Sequence, residues 1–242
     1  MYQFKSKVRF SEVNKDKALT LAALTDYLQD TCTFQSEELG AGMDVLRARN
    51  EAWVLSSWEI VVKKMPRVCE NISVGTFPCS FKGFYGHRNF CVTDAQGEEI
   101  ALANSLWVYI DYETKKPARI PEEISGCYNE VIEAPIDFAW SDRKIRFEGE
   151  GDKMQPVPVH SFFIDTNEHM TNGKYIMVAE EYLPKAFKVE RVRAEYRKPA
   201  VLGDVLYPFI YKEENRITVA LNDETGKPYA VIQFVRESNK TE

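Results

Sequence analysis

The sequence predicts an α+β protein of two tandem units, each an antiparallel sheet wrapped on one central helix. Three observations carry that reading: a helical apolar stripe stands beside β-rich runs in each half, the order of elements repeats, and turn and proline signals recur at corresponding places.

The first half opens on a strand-like segment, Tyr2 to Phe10. Leu21, Leu24, Leu28, Cys32, Gln35 and Leu39 then fall at helical spacing, and Gly40 supplies a C-cap. Four β-rich runs follow: EAWVLSSWEIVVKKM, NISVGTFPCSFKGF, YGHRNFCVTD and EIALANSLWVYID. The last two flank a hairpin turn at Ala95-Gln96-Gly97-Glu98.

The second half repeats this order. PVPVHSFFI reads as a strand, and Tyr175, Ala179, Tyr182, Leu183 and Ala186 mark one face of a helix starting near Asn172 and capped by Thr171 or Asn172. Four strand segments come next: KVERVRAEYRK, DVLYPFIYKE, RITVALND and KPYAVIQFVRE. Their final turn, Asp223-Glu224-Thr225-Gly226, matches Asp94-Ala95-Gln96-Gly97, and VVKKMPRVCENISV aligns with AEYRKPAVLGDVLY on Pro66 and Pro199. The units are assigned to residues 1–124 and 154–242. The charged, Pro- and Gly-rich stretch 125–153 reads as a linker, part of which is expected to pack because it is long for a structureless loop. A helix covers the apolar side of each sheet, and joining two such sheets buries their edges. That arrangement is the double hot-dog.

Composition narrows the function. With 44% hydrophobic and 12% aromatic residues, the chain of 242 residues can bury a sizeable core, which argues against disorder. A formal net charge of −6 argues against a nucleic-acid partner. Charged residues interrupt every apolar run, and the alternating MYQFKSKVRF start does not read as a signal peptide, so no membrane role is expected. Cysteines 32, 69, 79, 91 and 127 are odd in number and lack metal-ligand spacing, which fits reduced thiols in the cytoplasm. His87, His160 and His169 have no acidic partners at metal spacing, so no metal is expected. No Gly-rich phosphate loop and no G-x-S-x-G elbow occurs, so no cofactor is expected and a serine hydrolase has no support.

One polar run stands out. FIDTNEHMTNGKYI places Asp165, Asn167 and His169 at alternate positions between a strand and a helix. A histidine there can polarise water or shuttle a proton at neutral pH. An asparagine offers a donor and an acceptor without charge, and an aspartate can orient either neighbour. A helix N-terminus beside them suits a developing oxyanion. The same residue types are also ordinary turn and cap chemistry.

The run Asp165-x-Asn167-x-His169-x-x-Asn172-x-x-Tyr175 resembles the D-x-N-x-H-x-x-N-x-x-Y signature of the acyl-acyl carrier protein (acyl-ACP) thioesterases. The likeness extends to LTDYLQDTCTFQSEELG, NSLWVYID, RIPEEI and AEYRKPAVLGD, nearly the whole chain. It implies a double hot-dog that hydrolyses fatty acyl-ACP, a fatty acyl phosphopantetheine thioester on its carrier, to free acid and holo-carrier. Asp165, Asn167 and His169 match the family's catalytic loop. Plant members carry a Glu-Cys pair where this chain has Pro199 and Ala200, so a cysteine nucleophile at that place is excluded; Glu195 is a carboxylate nearby in sequence. Aligning the halves sets Asn14, Asp16 and Ala18 against the loop, so the N-terminal unit lacks the histidine and is expected to shape the acyl pocket. A basic patch around Arg197 and Lys198 is expected to meet the acidic carrier. The protein is expected to act as a monomer or homodimer. Acyl-CoA hydrolysis, or non-catalytic binding of acyl thioesters, are the alternatives.

Overall fold

The computed structural model describes residues 1–236. It is the tandem double hot-dog, and the chain divides into two compact units. The first holds Met1–Ser56 and Lys63–Trp140; the second holds Ser57–Val62 and the chain from Ser141 onward.

In the first unit, β1 (Tyr2–Lys7) leads to α1 (Leu21–Glu38), the short α2 (Met43–Ala48), β2 (Glu51–Val62), β3 (Asn71–Lys82), β4 (Tyr85–Asp94) and β5 (Glu99–Asp111). Strands β1, β3, β4 and β5 pair antiparallel in that order. The helix forms where the spacing predicts it: Leu21, Leu24, Leu28, Cys32 and Gln35 are buried. Thr20 caps its start by accepting the Ala23 N–H at 3.1 Å. Gly40, at φ +74°, ends it: its N–H reaches the Glu37 carbonyl, and the Ala41 N–H reaches that of Ser36, a Schellman closure. Short α3 (Glu122–Gly126) packs Ile124 with Leu46 and Tyr109, and Trp53 meets the Tyr109 ring edge-on at 4.8 Å.

The second unit contains the second half of β2, then β6 (Asp152–Lys153), β7 (Val157–Pro158), α4 (Asn172–Glu180), β8 (Arg191–Tyr196), β9 (Val205–Lys212), β10 (Arg216–Asn222) and β11 (Pro228–Val235). Ser57 of β2 lies opposite Glu195 of β8, and the sheet continues antiparallel through β11, β10 and β9. The four predicted strands are present; Glu237, the last residue of the KPYAVIQFVRE segment, lies outside the described residues.

Two expectations need correction. PVPVHSFFI forms only the two-residue β7 and then a 3-10 turn over Ser161–Phe163, which leaves Phe162 exposed. Helix α4 stops at Glu180, so Tyr182, Leu183 and Ala186 lie beyond it. Pro184 is the reason: it offers no N–H to the Glu180 carbonyl and disfavours helical backbone at Leu183. Part of the 125–153 stretch packs, as its length suggests. Ile145 is buried against Ala220 and Val231, and Phe147 stacks near Tyr211 at 4.4 Å.

The internal repeat reaches individual hydrogen bonds. Val8 donates its N–H to the Glu70 carbonyl as Val159 does to that of Asp204, and Leu19 donates to Pro66 as Met170 donates to Ala200. Lys64 pairs with the turn residue Asp94 as Lys198 pairs with Asp223. Pro66 is therefore the counterpart of Ala200, one residue beyond the Pro66–Pro199 alignment read from sequence.

Candidate active site

The loop after the 3-10 turn closes through backbone bonds. Asp165 N–H donates to the His169 carbonyl at 2.8 Å, and Glu168 N–H to the Asp165 carbonyl at 3.1 Å. Glu168 takes the left-handed conformation, φ 62°, that such a three-residue turn requires. Asp165 Oδ1 accepts the N–H groups of Asn167 (2.8 Å) and His169 (3.2 Å). One carboxylate oxygen thus fixes the backbone of both other candidates.

The same turn occurs three more times. Asn14 Oδ1 accepts from Asp16 and Ala18, Asp94 Oδ1 from Gln96 and Glu98, and Asp223 Oδ1 from Thr225 and Lys227. Lys17, Gly97 and Gly226 hold the left-handed place taken here by Glu168. The fold of the Asp165 loop is therefore common turn chemistry. What distinguishes it is cargo: Asn167 is exposed, His169 is half-buried, and among the described residues neither side chain has a hydrogen-bond partner. All three predicted residues lie within one turn.

Neighbouring structure anchors the loop. Ile164 bridges Met170, and His169 bridges Val201. Met170 N–H donates to the Ala200 carbonyl at 2.8 Å, while the N–H and hydroxyl of Thr171 donate to the Phe163 carbonyl at 2.9 and 3.2 Å. Thr171 is the N-cap residue of α4, but its side chain makes no capping bond, unlike Thr20 on α1. The Tyr175 hydroxyl accepts the buried Ala200 N–H at 2.8 Å. Sequence reading assigned Tyr175 no part in the site; a clue was present in the aligned halves, where Leu24 and Pro66 stand for Tyr175 and Ala200.

Glu195, the carboxylate nearby in sequence, is engaged in the packing of residues 141–147. Side chains alternate along β8. Tyr196 faces α4, with its ring 5.7 Å from that of Tyr175, and Glu195 lies on the other face. There its carboxylate accepts the Ile145 N–H at 3.0 Å and pairs with Arg197 at 3.2 Å. Arg193 donates to the Asp142 and Lys144 carbonyls, and Arg191 reaches Glu59 and Ser141. These groups hold residues 141–147 against the sheet. Glu195→Gln is expected to cost about 2 kcal/mol by chemical denaturation, because it strands Arg197, while leaving activity per folded molecule within about twofold. The Arg197–Lys198 patch is likewise engaged internally: Lys198 pairs with Asp223 and lies 4.2 Å from the Tyr229 ring centre.

Among the described residues, the other sulfur and imidazole groups make no bond to Asp165, Asn167 or His169 and have surroundings of their own. All five cysteines are free thiols, and burial pushes Cys32, Cys79 and Cys91 up to about 11, which disfavours their thiolates at neutral pH. His160 stacks on Phe162 at 5.2 Å, and His87 is an exposed residue of β4. No helix among the described residues is long and apolar enough to cross a membrane.

The sequence pattern of the acyl-ACP thioesterase N-terminal domain matches residues 1–128, and that of the C-terminal domain matches residues 148–234. The chain belongs to the acyl-ACP thioesterase family. A chloroplastic acyl-[acyl-carrier-protein] hydrolase of Cuphea viscosissima is 23% identical over 215 residues, 82% of this chain and 52% of that protein. The chain thus spans about half the length of the curated relatives it matches. An acyl-ACP thioesterase from Bacteroides thetaiotaomicron superposes with a TM-score of 0.88 at 23% identity, covering 97% of each chain. The 12:0-ACP thioesterase from Umbellularia californica gives 0.83 at 19%, covering 97% of this chain and 96% of its own. At such identities the thioesterase structures establish a shared fold.

Proposed function

We propose that the protein hydrolyses fatty acyl-ACP to free fatty acid and holo-carrier, with Asp165, Asn167 and His169 as its catalytic loop. One observation carries this reading: of the four such turns among the described residues, only this one carries an imidazole, His169, beside the amide of Asn167, and neither side chain has a hydrogen-bond partner. In the proposed cycle the His169 imidazole takes a proton from water as the oxygen adds to the thioester carbonyl carbon. Asn167 holds the carbonyl or the water, and the uncapped first turn of α4 faces developing negative charge with N–H groups. Collapse of the tetrahedral adduct breaks the C–S bond, and the imidazolium returns its proton to the departing thiolate. Water is the nucleophile, consistent with Ala200 at the place of the plant cysteine. Asp165 acts by shaping the turn, the N-terminal unit shapes the acyl pocket, and free thiols fit a reducing cytoplasm.

Acyl-CoA is the competing substrate, and carrier charge separates the two. Thiol release from acyl-ACP and acyl-CoA is measured as salt rises from about 0.05 to about 0.5 M, where screening shortens to a few ångströms. The acyl-ACP rate is expected to be higher at low salt and to fall more steeply, since protein–protein steering is the more salt-dependent encounter. Equal salt dependence with faster turnover of acyl-CoA would make the coenzyme thioester the substrate. Binding of acyl-ACP without thiol release would make the chain a binder.

A further inference from the structure

Tyr175 carries a hydroxyl into a buried place where the other unit has none. It sits in the first turns of α4, 2% exposed, and its oxygen accepts the N–H of Ala200, itself fully buried. The Ala200 carbonyl receives the Met170 N–H, and the next residue, Val201, forms the bridge to His169. The tie from α4 therefore ends on the segment against which the His169 backbone is held.

The first unit makes the same surroundings without that tie. Thr20 and Thr171 are equivalent N-caps, each donating its N–H back across the loop, to Glu12 and Phe163 respectively. Four residues on, Leu24 stands for Tyr175, and Pro66 stands for Ala200 by the bond it accepts from Leu19. Leucine has no hydroxyl and proline has no N–H. Donor and acceptor are thus present together or absent together, as expected when an unpaired buried N–H is costly. Leu24 and Pro66 are both buried, so burial by itself does not call for the polar pair. The polar pair is found in the unit that carries the histidine.

We propose that Tyr175 is a positioning residue, fixing His169 through the Ala200 peptide. The Tyr196 hydroxyl reinforces it by donating to the Asn172 carbonyl at 3.0 Å, which pins the start of α4 to β8. The inference rests on the reading of His169 as the acid/base group.

The test compares wild type, His169→Ala, Tyr175→Phe and the double variant Tyr175→Leu/Ala200→Pro, which copies the first unit. Stability, and kcat and KM for thiol release, are measured on each. Tyr175→Phe is expected to lower kcat about tenfold with KM within twofold, since small displacements of a catalytic group are felt mainly in turnover. The double variant removes donor and acceptor together, so it is expected to melt close to wild type while kcat stays low. Recovery of both stability and kcat in the double variant would make Tyr175 a structural residue and overturn the proposal. Wild-type turnover by Tyr175→Phe, with His169→Ala inactive, would overturn it and leave the loop's role standing. An active His169→Ala would instead overturn the reading on which it depends. Should Tyr175→Phe fail to fold, the double variant decides alone by the same two measurements.

Discussion

Replacing His169 with alanine is expected to reduce thiol release from acyl-ACP by about a hundredfold or more, the range lost with a general acid/base group. The structure makes this a clean substitution. His169 serves the loop through its backbone: its N–H goes to Asp165 Oδ1, its carbonyl receives the Asp165 N–H, and it bridges Val201. Ala18 makes all the corresponding contacts in the first unit, to Asn14 and Arg67. Alanine is therefore already shown to fit this turn, and His169→Ala is expected to stay within about 0.5 kcal/mol of wild type in chemical denaturation. A large loss of turnover at unchanged stability can come only from the imidazole. Full turnover by the folded variant would remove His169 from the chemistry.

The sequence revealed the architecture well because the information was local and given twice. The stripe from Leu21 to Gln35 predicts α1, Gly40 its end, and Asp94 and Asp223 their hairpins. Where reading failed, a nearby residue or a distant partner overrode the local pattern. Tyr182, Leu183 and Ala186 fit helical spacing, yet Pro184 ends α4 before them. Arg197 and Lys198, the residues expected to meet the carrier, also pair with Glu195 and Asp223, and Arg191 and Arg193 bind Glu59 and the carbonyls of residues 142 and 144. For Arg191 and Arg193 these partners lie 49 residues or more away, and periodicity does not report them. The candidate site was legible as a motif. Which of its three residues builds the turn, and which are left free, needed the bond pattern.

That division sets apart two substitutions at Asp165. Asp165→Ala removes the oxygen that accepts the Asn167 and His169 N–H groups. Two donors of the turn, one exposed and one partly buried, then lose their partner, a loss of about 1 kcal/mol to loop or global stability. The backbone bonds between Asp165 and His169 and from Glu168 to Asp165 remain, but Glu168 in the left-handed region leaves the turn strained. Turnover is expected to fall tenfold to a hundredfold, because Asn167 and His169 no longer share a fixed geometry. Asp165→Asn keeps an oxygen at the same place and removes only the charge. Asn14 shows that an amide supports this turn, accepting from Asp16 at 2.9 Å and Ala18 at 3.2 Å. Asp165→Asn is therefore expected to retain turnover within about threefold, with the Asn167 and His169 amides still protected from hydrogen exchange; Asp165→Ala should lose that protection. If asparagine proved as damaging as alanine while exchange protection persisted, the charge itself would be required. Asp165 would then act on the imidazole or on water directly, and its likeness to Asp94 and Asp223 would describe only half of what its carboxylate does.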